Sequence, residues 1–383
     1  METSLKNEKL FTKNFVLTSL STLVLFTSFY FLLVTLPIYI SNELAGSDFE
    51  VGLSLFVFTI SAVFLRPFMG QEVNRRGRKN ILVAGMLVFL AAMLLYNYAT
   101  SIPLLLLLRA FHGLGWGAAT TAATTLIADI APLSRRGEAM GIFGMAANIA
   151  MAISPPVSMF LLNSTNYEIL FIAGAAIALV SLLLVLPISE TVVVHTKTPL
   201  FSMEALSPST MMFIISLTYG SIVAFLPLFA QKQNMTNPGI FFAVLAVSLI
   251  IVRALAGRIS DIKGRKFVIV PGMILIILGL WVLSQADSIW YFLAAALLYG
   301  LGFGSVHPAL IAFLVDSVGE KERGAAMGTF TAAFDLGIAA GSLIMGIVLE
   351  SLGFGVMYFL GGLIVLAGTV WFIFWTGKNM REI

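Results

Sequence analysis

The chain has 383 residues, of which 59% are hydrophobic and 11% are charged, and its formal net charge is +3. A soluble domain normally carries about 25% charged residues, so most of the exterior of this protein must face lipid. The absence of Cys excludes disulfides, thiolate metal sites and cysteine nucleophiles, and the small net charge does not indicate nucleic-acid binding. No cofactor and no metal site is expected.

Twelve apolar segments follow one another along the chain. A membrane-spanning helix needs about 20 mostly apolar residues, and none of the segments shows the period-two polarity of a barrel strand. The first segment is too long for a cleaved signal peptide, whose apolar core has about 7–15 residues. The sequence predicts an all-α integral membrane fold with twelve transmembrane helices near residues 14–40, 49–69, 80–99, 102–128, 138–162, 168–188, 208–231, 238–257, 267–285, 288–315, 324–349 and 354–376.

The Lys and Arg residues between these segments predict the orientation. Arg66, Arg109 and Arg253 lie within or at the ends of apolar runs. All of the remaining Lys and Arg residues except Lys232 fall on the same side of the membrane as the N-terminus. Lys and Arg accumulate in cytoplasmic loops, so we expect a multi-pass protein of the cytoplasmic membrane with both termini inside the cell.

Several motifs recur at a constant offset of 187 residues. The stretch from Arg66 to Lys79 corresponds to the stretch from Arg253 to Lys266, and Gly113-Leu-Gly-Trp-Gly117 corresponds to Gly300-Leu-Gly-Phe-Gly304. This repeat predicts two pseudo-symmetric six-helix halves, residues 1–188 and 208–383, joined by a cytoplasmic linker at 189–207. In transporters built this way, the substrate site lies near the midplane between the repeats.

The two loops also carry a family resemblance. Gly70-Gln-Glu-Val-Asn-Arg-Arg-Gly-Arg-Lys79 and its second copy, Gly257-Arg-Ile-Ser-Asp-Ile-Lys-Gly-Arg-Lys266, resemble the signature loop of the major facilitator superfamily. Arg109 followed by Gly113 and Gly115 resembles the motif of its fourth helix. The resemblance covers the whole chain and is strongest to bacterial efflux permeases of the drug, sugar or metallophore exporter type. It implies transport of a small solute by alternating access.

Two positions depart from the family pattern. Asn74 stands where the family usually has Asp, which this chain keeps only at Asp261. The glycines that drug/proton antiporters usually carry in helix 5 are replaced around Pro155.

We expect the loop residues to form a cytoplasmic gate. Their cations can reach the carbonyl groups at helix C-termini and the repeated acids Asp129 and Asp316. Such contacts would close the cytoplasmic side and break when it opens. The positive charge of cytoplasmic loops is the competing explanation. The gate candidates are Gly70, Asn74, Arg75, Gly77, Arg78, Lys79, Asp129 and Arg136 in the first half, and Gly257, Asp261, Gly264, Arg265, Lys266, Asp316 and Arg323 in the second.

Four residues within apolar segments are candidates for proton coupling or substrate binding. Asp335 is the only carboxylate deep in an apolar segment, and its repeat mate is Asn148. Intramembrane carboxylates often carry protons, although a structural hydrogen bond also explains Asp335. Arg109 either binds an anionic group or tunes a carboxylate, unless it extends to the interface. His112 serves either as a proton relay or as an ordinary helix-interface residue.

These residues favour a proton-coupled exporter of a small amphipathic or anionic solute, acting as a monomer in the lipid bilayer. An uncoupled facilitator or importer is the alternative, and a membrane receptor would leave the repeated loops unexplained. No Gly-x4-Gly-Lys-Ser/Thr loop is present, which disfavours an ATP-driven pump. No grouping of nucleophile, base and acid suggests an enzyme.

Overall fold

The computed structural model describes residues 9–189, 202–319 and 322–379, and within these ranges it is built from helices without strands. The side chains of Gln71, Asn74, Leu133, Ala254 and residues 375–379 are outside the described part. Most of the predicted linker, residues 190–201, also lies outside it.

Eleven helices of the described chain are long and apolar enough to cross a bilayer. An apolar segment in lipid must satisfy its backbone hydrogen bonds internally, and a helix does so within one segment. The helices are α1 (Lys13–Asn42), α2 (Asp48–Arg76), α3 (Arg78–Leu95), α4 (Ile102–Ile130), α5 (Arg136–Ser164), α6 (Tyr167–Val185), α7 (Leu206–Lys232), α8 (Gly239–Lys263), α9 (Lys266–Ser284), α10 (Ile289–Ser317) and α11 (Arg323–Asn379).

The last helix, α11, contains two membrane crossings. Its apolar part, Arg323–Phe374, has 52 residues, which at 1.5 Å per residue is about 78 Å long, more than twice a hydrocarbon core of about 30 Å. Gly353 interrupts it with φ 78° and ψ 171°, a conformation open to glycine and strained for other residues. The prediction of twelve spans is therefore confirmed, with spans 11 and 12 joined through a single non-helical residue.

Two helices run further than the sequence predicts. α2 continues to Arg76 and α8 to Lys263, beyond the predicted ends at 69 and 257. The added turns are polar, so a search for apolar residues does not detect them, although they remain helical. Each helix ends only where the next residue is a glycine with positive φ, Gly77 or Gly264.

Glycines allow the helices within each half to approach closely. A Cβ on Gly115 of α4 would lie 2.7 Å from the backbone nitrogen of Phe89 in α3. A Cβ on Gly302 of α10, the repeat mate of Gly115, would lie 2.5 Å from the carbonyl oxygen of Gly272 in α9. Small residues at such positions let helices associate in lipid. The repeat in the sequence is thus also a repeat in helix packing.

The chain forms two compact units. The first contains α3 to α6 and most of α1 and α2, and the second contains α7 to α11. The turn between α1 and α2, with its flanking residues 36–59, groups with the second unit. There Gly52 of α2 meets the backbone of Ser342 in α11 so closely that a Cβ on Gly52 would overlap the Ser342 carbonyl oxygen.

Candidate functional site

The first signature loop is organised around a buried ion pair. Arg78, the first residue of α3, donates from Nε to Oδ2 of Asp129 near the end of α4 at 2.8 Å, and these side chains are 0% and 4% exposed. Arg78 also donates from Nη1 to the carbonyl oxygen of Val73 at 3.3 Å. Lys79 Nζ donates to the carbonyl oxygen of Leu186, just after α6, at 2.6 Å. The loop is thereby attached to α2, α4 and α6 of its own half.

The second loop repeats the central ion pair in a more open setting. Arg265 Nε donates to Asp316 Oδ2 at 2.9 Å, and these side chains are 24% and 54% exposed. Arg265 Nη1 donates to Ser260 Oγ at 3.1 Å and also pairs with Asp261. The hydrogen bonds that Arg265 donates to Asp261 and to Asp316 raise the pKa of Arg265 above its ordinary value, so this residue remains a cation.

Two glycines set the direction of the chain into these loops. Gly77 has φ 95° and ψ 148° and Gly264 has φ 93° and ψ 156°, a region of backbone conformation populated almost only by glycine. Each allows a long helix to end and the next to begin within one or two residues. The following arginine, Arg78 or Arg265, is thereby placed against the acid at the end of α4 or α10.

The other gate candidates are more dispersed. Arg75 Nη1 lies 3.6 Å from Glu72 Oε1, and the Arg75 side chain is exposed. The side chain of Asn74 is outside the described part. Lys266 is half-buried at the start of α9. The rest lie within helices, as Gly70 and Gly257 do, or at exposed helix starts, as Arg136 and Arg323 do.

Arg109 and His112, which the sequence predicts as candidates, meet at a third residue, Tyr96. Arg109 Nη1 donates to Tyr96 Oη at 3.3 Å, and Tyr96 Oη is 3.0 Å from His112 Nδ1. All three side chains are buried. The ring centroids of Phe89 and His112 are 4.3 Å apart. Those of Phe171 and Tyr96 are 5.5 Å apart. A cation and two polar rings are therefore enclosed by aromatic side chains inside the first unit.

Asn148 and Asp335 occupy equivalent places in the two units. Asn148 is 7% exposed in α5 and donates from Nδ2 to the carbonyl oxygen of Gly144, one turn earlier, at 3.4 Å. Asp335 is 9% exposed in α11, within the first of its two crossings. The structure thus places a carboxylate at a buried position of a membrane helix, as the sequence predicts.

An aromatic cluster that includes Phe334, the residue before Asp335, was not among the predicted site residues. The ring centroid of His307 lies 5.9 Å from that of Phe303 and 6.0 Å from that of Phe334. Phe303 also stacks on Tyr219 at 5.2 Å, and Arg253 interacts electrostatically with both Tyr219 and His307. The repeat mates of Phe303 and His307 are Trp116 and Thr120, so comparison of the halves alone does not indicate this cluster.

The described part of the chain contains no group of three or more His, Asp or Glu side chains placed to hold a metal ion. The ion pairs and the hydrogen-bonded polar side chains described above lie among membrane helices that occur in two related sets. Membrane helices that occur in two related sets define a multi-pass membrane protein with an internal repeat, an architecture known from solute transporters. The chain belongs to the Major Facilitator Superfamily, which it matches over residues 18–261 and over residues 208–381.

Similar proteins include exporters. The staphylopine export protein of Staphylococcus aureus is 23% identical over 90% of this chain and 91% of its own length. The multidrug resistance protein MdtG of Enterobacter lignolyticus is 25% identical over 97% of this chain and 93% of its own length. An uncharacterised MFS-type transporter of Methanocaldococcus jannaschii is 26% identical over 83% of this chain and 86% of its own.

Solved structures show the same fold at low sequence identity. A D-xylose–proton symporter superposes with a TM-score of 0.79 at 16% identity, over 94% of this chain and 96% of that one. The nucleoside transporter NupG superposes with a TM-score of 0.77 at 16% identity, over 94% and 98%. These similarities establish the architecture and leave the solute to be argued from this chain's own residues.

Proposed function

We propose that this protein is a proton-coupled secondary transporter that exports a small solute across the cytoplasmic membrane by alternating access. The observation that carries the proposal is Asp335, a carboxylate that is 9% exposed inside a membrane-spanning helix. Such a residue is costly to place in a bilayer and normally marks an ion pathway, a proton relay or a substrate site. Asp335 is the proposed proton carrier.

The surroundings of Asp335 support this role. The adjacent Phe334 contacts the ring of His307, and Arg253 acts electrostatically on that same ring. The imidazole of His307 and the guanidinium of Arg253 therefore belong to the surroundings of Phe334, the residue next to Asp335 in α11. Interactions among such groups allow the gain or loss of a proton to change how the helices α8, α10 and α11 bind each other or a solute.

The direction of transport is proposed from the relatives. Two of them are named for the export of staphylopine and for multidrug resistance. We therefore propose that this protein, as a monomer, exports a small amphipathic or anionic compound. The distribution of Lys and Arg between the helices supports a placement in which both termini are cytoplasmic.

The two loops, with the residues Gly70 to Lys79 and Gly257 to Lys266, are proposed to support the cytoplasmic gate. Both repeated ion pairs join helices of a single half: Arg78 connects α3 to α4, and Arg265 connects α9 to α10. Alternating access in such folds is largely a movement of one repeat against the other. Because each ion pair lies within one half, we propose that it keeps its loop attached to that half during the movement, instead of breaking when the cytoplasmic side opens as the sequence led us to expect.

The alternative is an uncoupled facilitator or an importer. Asn148, the repeat mate of Asp335, bonds a backbone carbonyl within its own helix. If Asp335 has the same structural role, transport needs no proton. The fold does not exclude this alternative, since a nucleoside transporter and a D-xylose–proton symporter share it.

The test is proton movement driven by solutes in liposomes that contain the purified protein. Wild type is compared with Asp335→Asn, which removes the titratable group, and with Asp335→Glu, which keeps it. Asp287→Asn, an exposed carboxylate between α9 and α10, is the matched control. We expect one or more solutes of a panel to drive proton flux in wild type, Asp335→Glu and Asp287→Asn and not in Asp335→Asn. Equal solute transport in all four, with no proton signal, would establish the facilitator instead.

A further inference from the structure

One of the two hydrogen bonds around Tyr96 has a fixed direction. A guanidinium can only donate hydrogen bonds, so in the contact of 3.3 Å Tyr96 Oη accepts from Arg109. The phenol proton of Tyr96 is then free to be donated to His112 Nδ1, which lies 3.0 Å away. In this arrangement Nδ1 carries a lone pair, and the proton of a neutral His112 ring is on Nε2.

The opposite arrangement is less favourable. If His112 donated from Nδ1, two donors would converge on one phenolic oxygen. The phenol proton would then need another acceptor within a setting where Phe89 and Phe171 pack against the two rings. Buried polar groups are strongly disfavoured when they lose a partner. When Arg109 donates to Tyr96 and Tyr96 donates to His112, each of the two contacts has one donor and one acceptor.

We propose that Tyr96 and His112 are positioning residues for Arg109: His112, as its Nε2–H tautomer, orients the Tyr96 hydroxyl, which in turn holds the guanidinium. Tyr96 lies in the short 3-10 turn after α3, and Arg109 and His112 lie on α4. These hydrogen bonds therefore fix the Arg109 side chain relative to α3 as well as to its own helix. The inference on transport rests on the proposed function, whereas the inference on the tautomer does not.

The tautomer can be measured without a substrate. The chain has three His residues, so ¹⁵N-histidine labelling gives few signals, and the signal missing from His112→Asn identifies His112. We expect one pyrrole-type nitrogen at Nε2 and one hydrogen-bonded pyridine-type nitrogen at Nδ1. Tyr96→Phe should shift the Nδ1 resonance toward that of a free pyridine-type nitrogen, while Tyr98→Phe should leave it unchanged. Tyr98 is an exposed residue of the same turn. A proton on Nδ1 in wild type, or no shift in Tyr96→Phe, would overturn the proposal.

The positioning role is measured by transport of whichever solute the wild type carries. Asn places an oxygen near the position of Nδ1, and Gln places its polar atoms further out, near Nε2. We expect His112→Asn to keep transport within about twofold of wild type, and His112→Gln and Tyr96→Phe to lower it by about tenfold or more, which is the scale of a hydrogen bond to a charged group. Arg109→Gln should be no further impaired by adding Tyr96→Phe.

The outcomes separate the two proposals. If Tyr96→Phe and Tyr98→Phe transport equally well, Tyr96 does not position Arg109, whatever Asp335 does. If proton flux survives in Asp335→Asn, the proposed coupling fails, while the tautomer and the Tyr96 result can still hold. Removing one hydroxyl group leaves the volume of the site nearly unchanged, and monodispersity in detergent checks that each variant is folded.

Discussion

Arg78 and Asp129 form a salt bridge whose two side chains are almost completely withdrawn from solvent, at 0% and 4% exposure. The equivalent bridge in the other half, Arg265 to Asp316, has nearly the same length but leaves 24% and 54% of its side chains exposed. Removing one partner of a buried pair leaves an uncompensated charge, which costs about 3–5 kcal/mol. An exposed pair contributes about 0–1 kcal/mol.

Asp129→Asn should therefore destabilise the protein far more than Asp316→Asn. Thermal unfolding of both variants in the same detergent measures the difference. A double-mutant cycle with Arg78→Gln should show a large interaction energy in the first half, and the cycle with Arg265→Gln a small one. Equal losses of stability in the two halves would contradict the role assigned to burial.

Gly264→Ala should be destabilising because of the backbone alone. No atom lies within 4 Å of a Cβ placed there, but φ is +93°, and a non-glycine residue in this region costs about 1–3 kcal/mol. Gly257→Ala is the matched control, since its Cβ also meets open space and the residue lies inside α8. The control should be neutral or stabilising by about 0.5–1 kcal/mol. Unfolding temperatures that do not distinguish the two would exclude strain at Gly264.

Gly302→Ala should separate α9 from α10. Its Cβ would lie 2.5 Å from the Gly272 carbonyl oxygen and 2.8 Å from the Ile276 nitrogen, and backbone atoms cannot move aside without shifting a helix. Overpacking of this kind typically costs about 1–3 kcal/mol. Gly328→Ala, where the Cβ meets open space within α11, should have little effect. Melting temperatures of the two purified variants provide the test, and similar values would mean that the helices are less tightly apposed.

Asp261→Ala should lower transport without impairing folding. Asp261 is 70% exposed and Arg265 retains Asp316, so the stability change should stay within about 1 kcal/mol. A gate role nonetheless requires the loop to be held in place, and transport per inserted molecule should fall. Glu138→Ala removes the similarly exposed pair with Arg135 and should leave transport unchanged. Unaltered transport in Asp261→Ala would remove Asp261 from the gate.

The sequence predicts the number and order of the membrane spans because hydropathy depends on composition alone. It does not show that α2 continues to Arg76, because the extra turns are polar and give no hydropathy signal. The helix ends only at Gly77, which has a positive φ. It also does not show that Gly353 replaces a loop, because the same apolar residues suit two separate helices. Each of these features depends on backbone conformation at one or two residues.

The candidate site divides in the same way. Arg109, His112 and Asp335 are visible in the sequence because ionisable residues are rare within apolar segments. Tyr96 is not, because a tyrosine near a helix end is ordinary at a membrane interface, and its importance comes from contacts with residues 13 and 16 positions away. The repeat also gives no sign of His307, whose counterpart is Thr120.

The single non-helical residue at Gly353 has a consequence for how the protein is made. Only a short stretch, Glu350 to Gly353, separates the two crossings of α11. So short a connection leaves little chain outside the bilayer between the two crossings, and we expect the second crossing to insert together with the first. The last stage of biogenesis is then one insertion event rather than two, and an epitope placed at Gly353 would interrupt it.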